Sequence, residues 1–201
     1  MRIVGGKFRG KKLVLPEDKR VRPTSDRARE ALFNILGHDS EMRGENGLLP
    51  NDAIVLDVFA GTGALGLEAL SRGAVHVTFL DNHSESLKLV EQNVKNMSAR
   101  NCTDILRRDA ANPGKPGMPC DLILMDPPYG ENLAAPTLVA LKKNGWIKPD
   151  AIIVIEIAAK ENVDIPPEFR LLKDRKYGAA RLIFLRRDSD QYGDTSQTDP
   201  E

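Results

Sequence analysis

The sequence predicts an α/β fold in which a mostly parallel sheet carries helices on both faces, and three observations predict it. Short apolar runs near 54–58, 75–80, 104–107, 121–125 and 151–157 alternate with helical patterns near 64–72, 84–97 and 134–143. The first run passes into Asp57-Val58-Phe59-Ala60-Gly61-Thr62-Gly63-Ala64-Leu65-Gly66, a glycine-rich passage from strand to helix. Asp57, Asp81, Asp109 and Asp126 stand at or just past the ends of four runs, at the carboxyl edge where such sheets bind ligands.

Taken in order, residues 2–15 (Arg2-Ile3-Val4-Gly5-Gly6-Lys7-Phe8-Arg9-Gly10-Lys11-Lys12-Leu13-Val14-Leu15) read as a small hairpin turning through its glycines. Its Arg and Lys side chains are expected to stand outward, with Phe8 either packed or stacking on a base. Thr24 is expected to cap a helix in which Ala28, Ala31, Leu32, Ile35 and Leu36 recur at helical spacing up to Gly37. A polar loop from His38 to Asn51 leads to Ile54-Val55-Leu56, a buried strand. Leu67, Ala69 and Leu70 continue the helix after the glycine turn, and Gly73 ends it. The segments 169–176 and 180–186, joined at Tyr177-Gly178, read as an antiparallel pair.

Length and charge bound the function without defining it. A chain of 201 residues suits one domain with a sizeable core, placed at 1–187, with 1–37 as a basic extension facing a polyanion. Residues 188–201 are expected to form a disordered tail: from Ser189 on they hold Asp190, Asp194, Asp199 and Glu201 and no base. The formal net charge is zero, yet Arg2, Lys7, Arg9, Lys11, Lys12 and Arg22 crowd the start of the chain, as nucleic-acid binding would ask. Cys102 and Cys120 lack metal-ligand spacing and His38, His76 and His83 are scattered, so no metal is expected and a reducing cytoplasm is the natural home. His83 is read as a surface residue at a helix entry. No signal peptide and no apolar stretch long enough for a bilayer is evident, so no membrane partner is expected.

Two constellations carry chemistry. Gly61, Gly63 and Gly66 satisfy G-x-G-x-x-G, and Asp81 is spaced to accept both hydroxyls of a ribose, which together suggest an adenosine-like cofactor. A carboxylate at Asp57 would repel a pyrophosphate but suits the ammonium and sulfonium of S-adenosylmethionine (SAM), leaving NAD as the alternative. Downstream, Leu122-Ile123-Leu124-Met125 delivers Asp126-Pro127-Pro128-Tyr129. The prolines lack N–H groups and hold their carbonyls rigidly beside the Asp126 carboxylate, while Tyr129 offers a flat face. Acceptors plus a ring fit a planar heterocycle gripped by its exocyclic NH2, whose nitrogen becomes tetrahedral and positive during attack. A plain Asp-Pro-Pro turn with the tyrosine as a lid is the structural alternative.

These motifs stand in the order of a class I SAM-dependent amino-methyltransferase. Arg22-Pro23-Thr24-Ser25-Asp26-Arg27-Ala28-Arg29-Glu30-Ala31-Leu32-Phe33-Asn34-Ile35-Leu36 and Phe59-Ala60-Gly61-Thr62-Gly63-Ala64-Leu65-Gly66-Leu67-Glu68-Ala69-Leu70-Ser71-Arg72-Gly73-Ala74 narrow the resemblance to the RsmD-type 16S rRNA (guanine-N2-)-methyltransferase family. The resemblance spans roughly the first 187 residues and departs at Asp81, where a Glu is usual. It implies a Rossmann-like, seven-stranded sheet, parallel except for its final strand, and methylation of N2 of one guanine (966 in the RNA's numbering) of bacterial 16S rRNA. It further implies a monomer acting on the small ribosomal subunit. Asp57, Phe59, Gly61, Thr62, Gly63, Asp81, Asn82, Asp109 and Ala110 would hold SAM, and Thr24 with the Arg22-Pro23 segment would close over its methionine end. Asp126, Pro127 and Tyr129 would hold the flipped guanine. A DNA adenine-N6 methyltransferase could use the same Asp-Pro-Pro-Tyr, although nothing in the chain is large enough for a target-recognition domain.

Overall fold

In the computed structural model, which describes residues 1–16, 25–44 and 47–188, the expected alternation of elements is realised. Helix α1 (Asp26–His38) is capped by Ser25, whose side chain accepts from the Ala28 amide. The cap therefore falls one residue after Thr24, which lies outside the described residues together with Arg22 and the tail from Ser189 onward. A two-residue ladder follows, β1 (Arg43–Gly44) with β2 (Gly47–Leu48). The rest is one sheet: β3 (Ile54–Val58), β4 (His76–Asp81), β5 (Thr103–Arg107), β6 (Cys120–Met125), β7 (Ile147–Ala158), β8 (Phe169–Tyr177) and β9 (Ala180–Arg187), interleaved with α2 (Ala64–Ser71), α3 (Ser84–Asn96) and α4 (Ala134–Lys143).

The strand order is β5-β4-β3-β6-β7-β9-β8. Pairs among β5, β4, β3, β6 and β7 are parallel, and β9 runs antiparallel to both neighbours, so the final strand alone is reversed. The central strands are apolar on both faces because helices cover both. Val55, Leu122, Leu124, Val154 and Phe184 join Leu32, Phe33, Leu67 and Val90 from α1, α2 and α3 in one core. Their strand neighbours Leu56, Val58, Ile123, Met125, Ile153 and Leu185 face the other way, onto Leu138 and Leu141 of α4 and onto Trp146. That alternation is the period-2 pattern of the strands made physical. Among the described residues no helix is long and apolar enough to cross a membrane.

The N-terminal segment is a looser hairpin than the sequence suggests. One bridge, Arg2 with Lys12, and a few backbone bonds close it, including Ile3 N–H to Lys11 O at 2.9 Å and Gly10 N–H to Ile3 O at 2.8 Å. Its stability comes from docking. Glu68 of α2, fully buried, accepts from the Val4 and Gly5 amides at 2.8 Å each, and pairs with Arg72 at 2.7 Å and with the fully buried Arg29 of α1 at 3.5 Å. Lys7 N–H donates to Ser71 O at 2.7 Å. Gly6 has φ +72°, and a Cβ there would lie 1.8 Å from Ser71 O, so only glycine lets the turn approach the helix end. Ile3 and Leu13 enter the core and Phe8 is half-buried against it, so the packed alternative holds for Phe8.

Candidate active site

The carboxyl edge of the sheet gathers the donor residues. Asp57, at the end of β3, is 1% exposed, and its Oδ2 accepts from the Gly66 amide at 2.8 Å. Gly66 is obligatory there: a Cβ would meet Phe79 at 2.5 Å and Val77 at 2.8 Å. Burial pushes the Asp57 carboxyl well above the ordinary carboxylate value; the Gly66 amide opposes this, and the negative charges of Asp126 and Asp81 add to it. A desolvated acid with two acidic neighbours is a place where a cation is favoured.

Asp81, at the end of β4, ties the glycine turn to its own strand. Its Oδ2 accepts from Gly61 N–H at 2.9 Å and its Oδ1 from His83 N–H at 2.8 Å. Each oxygen keeps a second lone pair for a hydroxyl donor. Phe59 sits in the left-handed region at φ 61°, which turns the chain out of β3 toward Gly61 and Gly63. Thr62 is buried, and its carbonyl accepts from Asn93 of α3 at 3.0 Å. Asn82 and His83 are exposed at the entry to α3, as expected for the histidine. Past β5, Asp109 folds back on the Ala111 amide at 2.9 Å and Ala110 is buried, forming a small shelf beside Asp81.

The acceptor loop leaves β6 next to this group. The Asp126 amide reaches back to Val58 O at 3.5 Å, which keeps the loop against the end of β3. Asp126 is half-buried, Pro127 is buried, and Tyr129 is 48% exposed, so much of its ring surface faces solvent. Glu161, after β7, accepts from Gly130 N–H at 3.3 Å and from Ala158 N–H at 3.4 Å. Two surface clefts lie elsewhere, one of about 480 Å³ by Glu91, Lys95 and Arg100 and one of about 540 Å³ by Asp121, Lys148 and Arg186. Neither touches the strand ends that carry the acids.

Thus Asp57, Asp81 and Asp126 come together at the carboxyl edge, and Asp109 follows β5 at the same edge with its carboxylate turned onto Ala111. Arg2, Lys7, Arg9, Lys11 and Lys12 are exposed on a loop whose Lys7 amide is anchored at the far end of α2 from the glycine turn, while its other arm returns to Val14, which Asn93 links to Thr62 of that turn. Three positioning groups escaped the sequence reading: Glu68, Asn93 and Glu161. Glu68 could have been found as the one acid inside the apolar helix Ala64-Leu65-Gly66-Leu67-Glu68-Ala69-Leu70, where a charge must be partnered. Asn93, 1% exposed, clasps both the amide and the carbonyl of Val14 and had no local signal.

A doubly covered parallel sheet with one reversed strand, a glycine turn between two donor acids and an Asp-Pro-Pro-Tyr loop on the adjacent strand define a Rossmann-like, SAM-dependent methyltransferase. The chain belongs to the family described as conserved hypothetical protein 95, whose model matches residues 1–186. It is 32% identical over 190 residues to ribosomal RNA small subunit methyltransferase D of Escherichia coli K12, covering 94% of this chain and 91% of that protein. The protein of that name from Haemophilus influenzae is 33% identical, with 89% of each chain covered. Among solved structures, yhhF from Escherichia coli superposes with a TM-score of 0.76 at 31% identity, covering 94% of this chain and 98% of that one.

Proposed function

We propose that this chain methylates the exocyclic N2 of a guanine in bacterial 16S rRNA, at the position numbered 966 in that RNA. The observation that carries the reading is the Asp126-Pro127-Pro128-Tyr129 loop, held on β6 beside β3 and its buried Asp57, with Asp81 one strand further on. The relatives named as small-subunit rRNA methyltransferases support the choice of RNA. SAM, when bound, supplies an electrophilic methyl group. The residues present fit it: Asp57 offers a buried anion to its cationic end, Asp81 offers lone pairs to its ribose, and the Asp109–Ala110 shelf borders the adenine.

On the acceptor side, Asp126 and the Pro127 carbonyl accept from the N2 protons and orient the nitrogen lone pair toward the donor. As nitrogen gains positive charge those acceptors strengthen, which lowers the barrier without a strong base. Tyr129 stacks on the extruded base. The proton released from nitrogen passes to water or to Asp126. Thr24 and Arg22 are assigned to closure over the methionine end, and Arg2, Lys7, Arg9, Lys11, Lys12 and Arg22 to RNA phosphates. We assign residues 1–187 to one methyltransferase domain acting as a monomer on the small subunit in the cytoplasm.

Incubation with methyl-labelled SAM and 16S rRNA, followed by mass spectrometry of the nucleosides, tests the reading. N2-methylguanosine at one position is the expected product. Label in N6-methyladenine of a DNA substrate, with none in the RNA, would refute it.

A further inference from the structure

The β8–β9 hairpin ends at the acceptor side of the site. β9 is antiparallel to both β7 and β8, so β8 runs with β6 and β7 and its last residues reach the edge where β6 delivers Asp126. Ala180 pairs with Ala158 on one side and Tyr177 on the other, which brings the hairpin turn level with the end of β7. Glu161 joins that turn to the acceptor loop: its carboxylate accepts from Gly130 N–H, and its carbonyl accepts from Arg181 Nη1 at 2.8 Å.

The charge along this hairpin is uneven. Arg170 is matched by Asp188 at 3.5 Å, and Lys173 by Asp39 and Glu41. Arg181 grips Asp174 through two bonds, Nε to Oδ1 at 2.9 Å and Nη2 to Oδ2 at 2.6 Å. Those bonds, and then the charges of Arg181, Lys176 and Arg175, hold the Asp174 carboxyl below the usual range. Arg175 and Lys176, at the catalytic end of the strand, and Lys160 in the turn after β7 are all exposed. Cations on an edge strand serve first to deter strand addition, but that purpose is met anywhere along the edge. Here Lys160 stands in the turn after β7, the strand next to β6, and Arg175 and Lys176 stand two strands beyond it at the same carboxyl edge of the sheet.

Resting on the rRNA reading above, we propose that Lys160, Arg175 and Lys176 form a second phosphate-binding surface, which holds the RNA strand flanking the target base. Extruding a base costs the energy of unstacking it, and contacts to the flanking phosphates can offset that cost. The N-terminal loop runs along α2: its Lys7 amide is anchored at Ser71, and Val14 is held by Asn93, which also bonds the Thr62 carbonyl of the cofactor turn. The two surfaces therefore hold RNA from two sides, the N-terminal cations from the side of α2 and the β8–β9 cations from the far side of β7.

The test compares the parent, K160E/R175E/K176E and its glutamine counterpart, using a 16S rRNA fragment at several salt concentrations and SAM titration as the check on folding. Both variants should bind SAM like the parent. Both should show a slope of log affinity against log salt lower by roughly 0.7–0.9 for each phosphate no longer neutralised. Their turnover on RNA should fall even at saturating RNA. Parental slope and turnover in both variants would overturn this inference alone, leaving the cations as edge protection. A parent that neither binds nor modifies the RNA would overturn the rRNA reading itself.

Discussion

The donor half of the molecule, built on β3, β4, β5, α2 and α3, is locked, whereas the acceptor half, built on β6, β7, β9 and β8, is open. Asp57 and Asp81 are almost fully buried and spend their oxygens on the backbone amides of Gly66, Gly61 and His83. Asp126 is half-buried and Tyr129 half-exposed on a loop whose ties include a long backbone bond to Val58 and one to Glu161. The N-terminal loop clamps the donor half through Glu68, a fully buried carboxylate, while the β8–β9 hairpin is held by ladder bonds and the partly exposed Arg181–Asp174 pair. On the proposed function, the difference matches a rigid cradle to a small cofactor of constant shape and an enterable site to a base pulled from its stack.

The largest effect should come from Glu68→Ala. It removes the buried partner of Arg29, which keeps the half-exposed Asp26 at 3.0 Å, and frees two amides, so unfolding stability should fall by about 3 kcal/mol. Chemical denaturation would measure it, against Arg181→Ala in the open half, where a partly exposed bidentate pair should cost about 1 kcal/mol. Equal costs would erase the contrast between a clamped and a laddered half.

Asp126→Ala should lower turnover by about 10²–10³-fold with SAM affinity within a few-fold of the parent. Single-turnover kinetics and calorimetric titration separate the two quantities, and a parallel loss of both would assign Asp126 a structural role. Asp81→Ala should do the reverse: weaker SAM with RNA affinity retained, because its oxygens face the Gly61 turn. Two amides lose their acceptor, about 1–3 kcal/mol for each group left buried, so the turn should also loosen. An unchanged SAM dissociation constant would break the division into halves.

Asp57 sharpens the same contrast through pH. Its folded pKa is raised above the unfolded value of 3.8, so the folded chain binds the proton more tightly and its stability without SAM falls as pH rises through the interval between the two values. Asp57→Asn keeps an acceptor for Gly66 and should remove that fall, with parent and variant melting curves converging in acid. Binding a cationic ligand favours the ionised carboxylate, so SAM affinity of the parent should climb over that interval while the variant stays flat. A parent whose affinity is also flat would detach Asp57 from the cationic end of SAM.

Much of the site was legible locally. The apolar runs at Ile54-Val55-Leu56 and Leu122–Met125 have the length and β-branching of buried strands, and the Gly61–Gly66 turn and the Asp126–Tyr129 loop are short enough for their residues to dictate shape. The helix caps were less so: Thr24 and Ser25 are both good capping residues, and the choice of Ser25 depends on how the chain enters α1.

By itself, the sequence determined the order of elements, the faces of the strands and the two loops that carry the chemistry, because periodicity and turn geometry act over a few residues. Only the tertiary structure decided that β9 lies between β7 and β8, that Glu68 receives amides 63 and 64 residues away, and that Glu161 bridges the acceptor loop to the β8–β9 hairpin. Those contacts form between distant segments, and their partners are chosen by which surfaces remain uncovered once the core has packed, which no local pattern records.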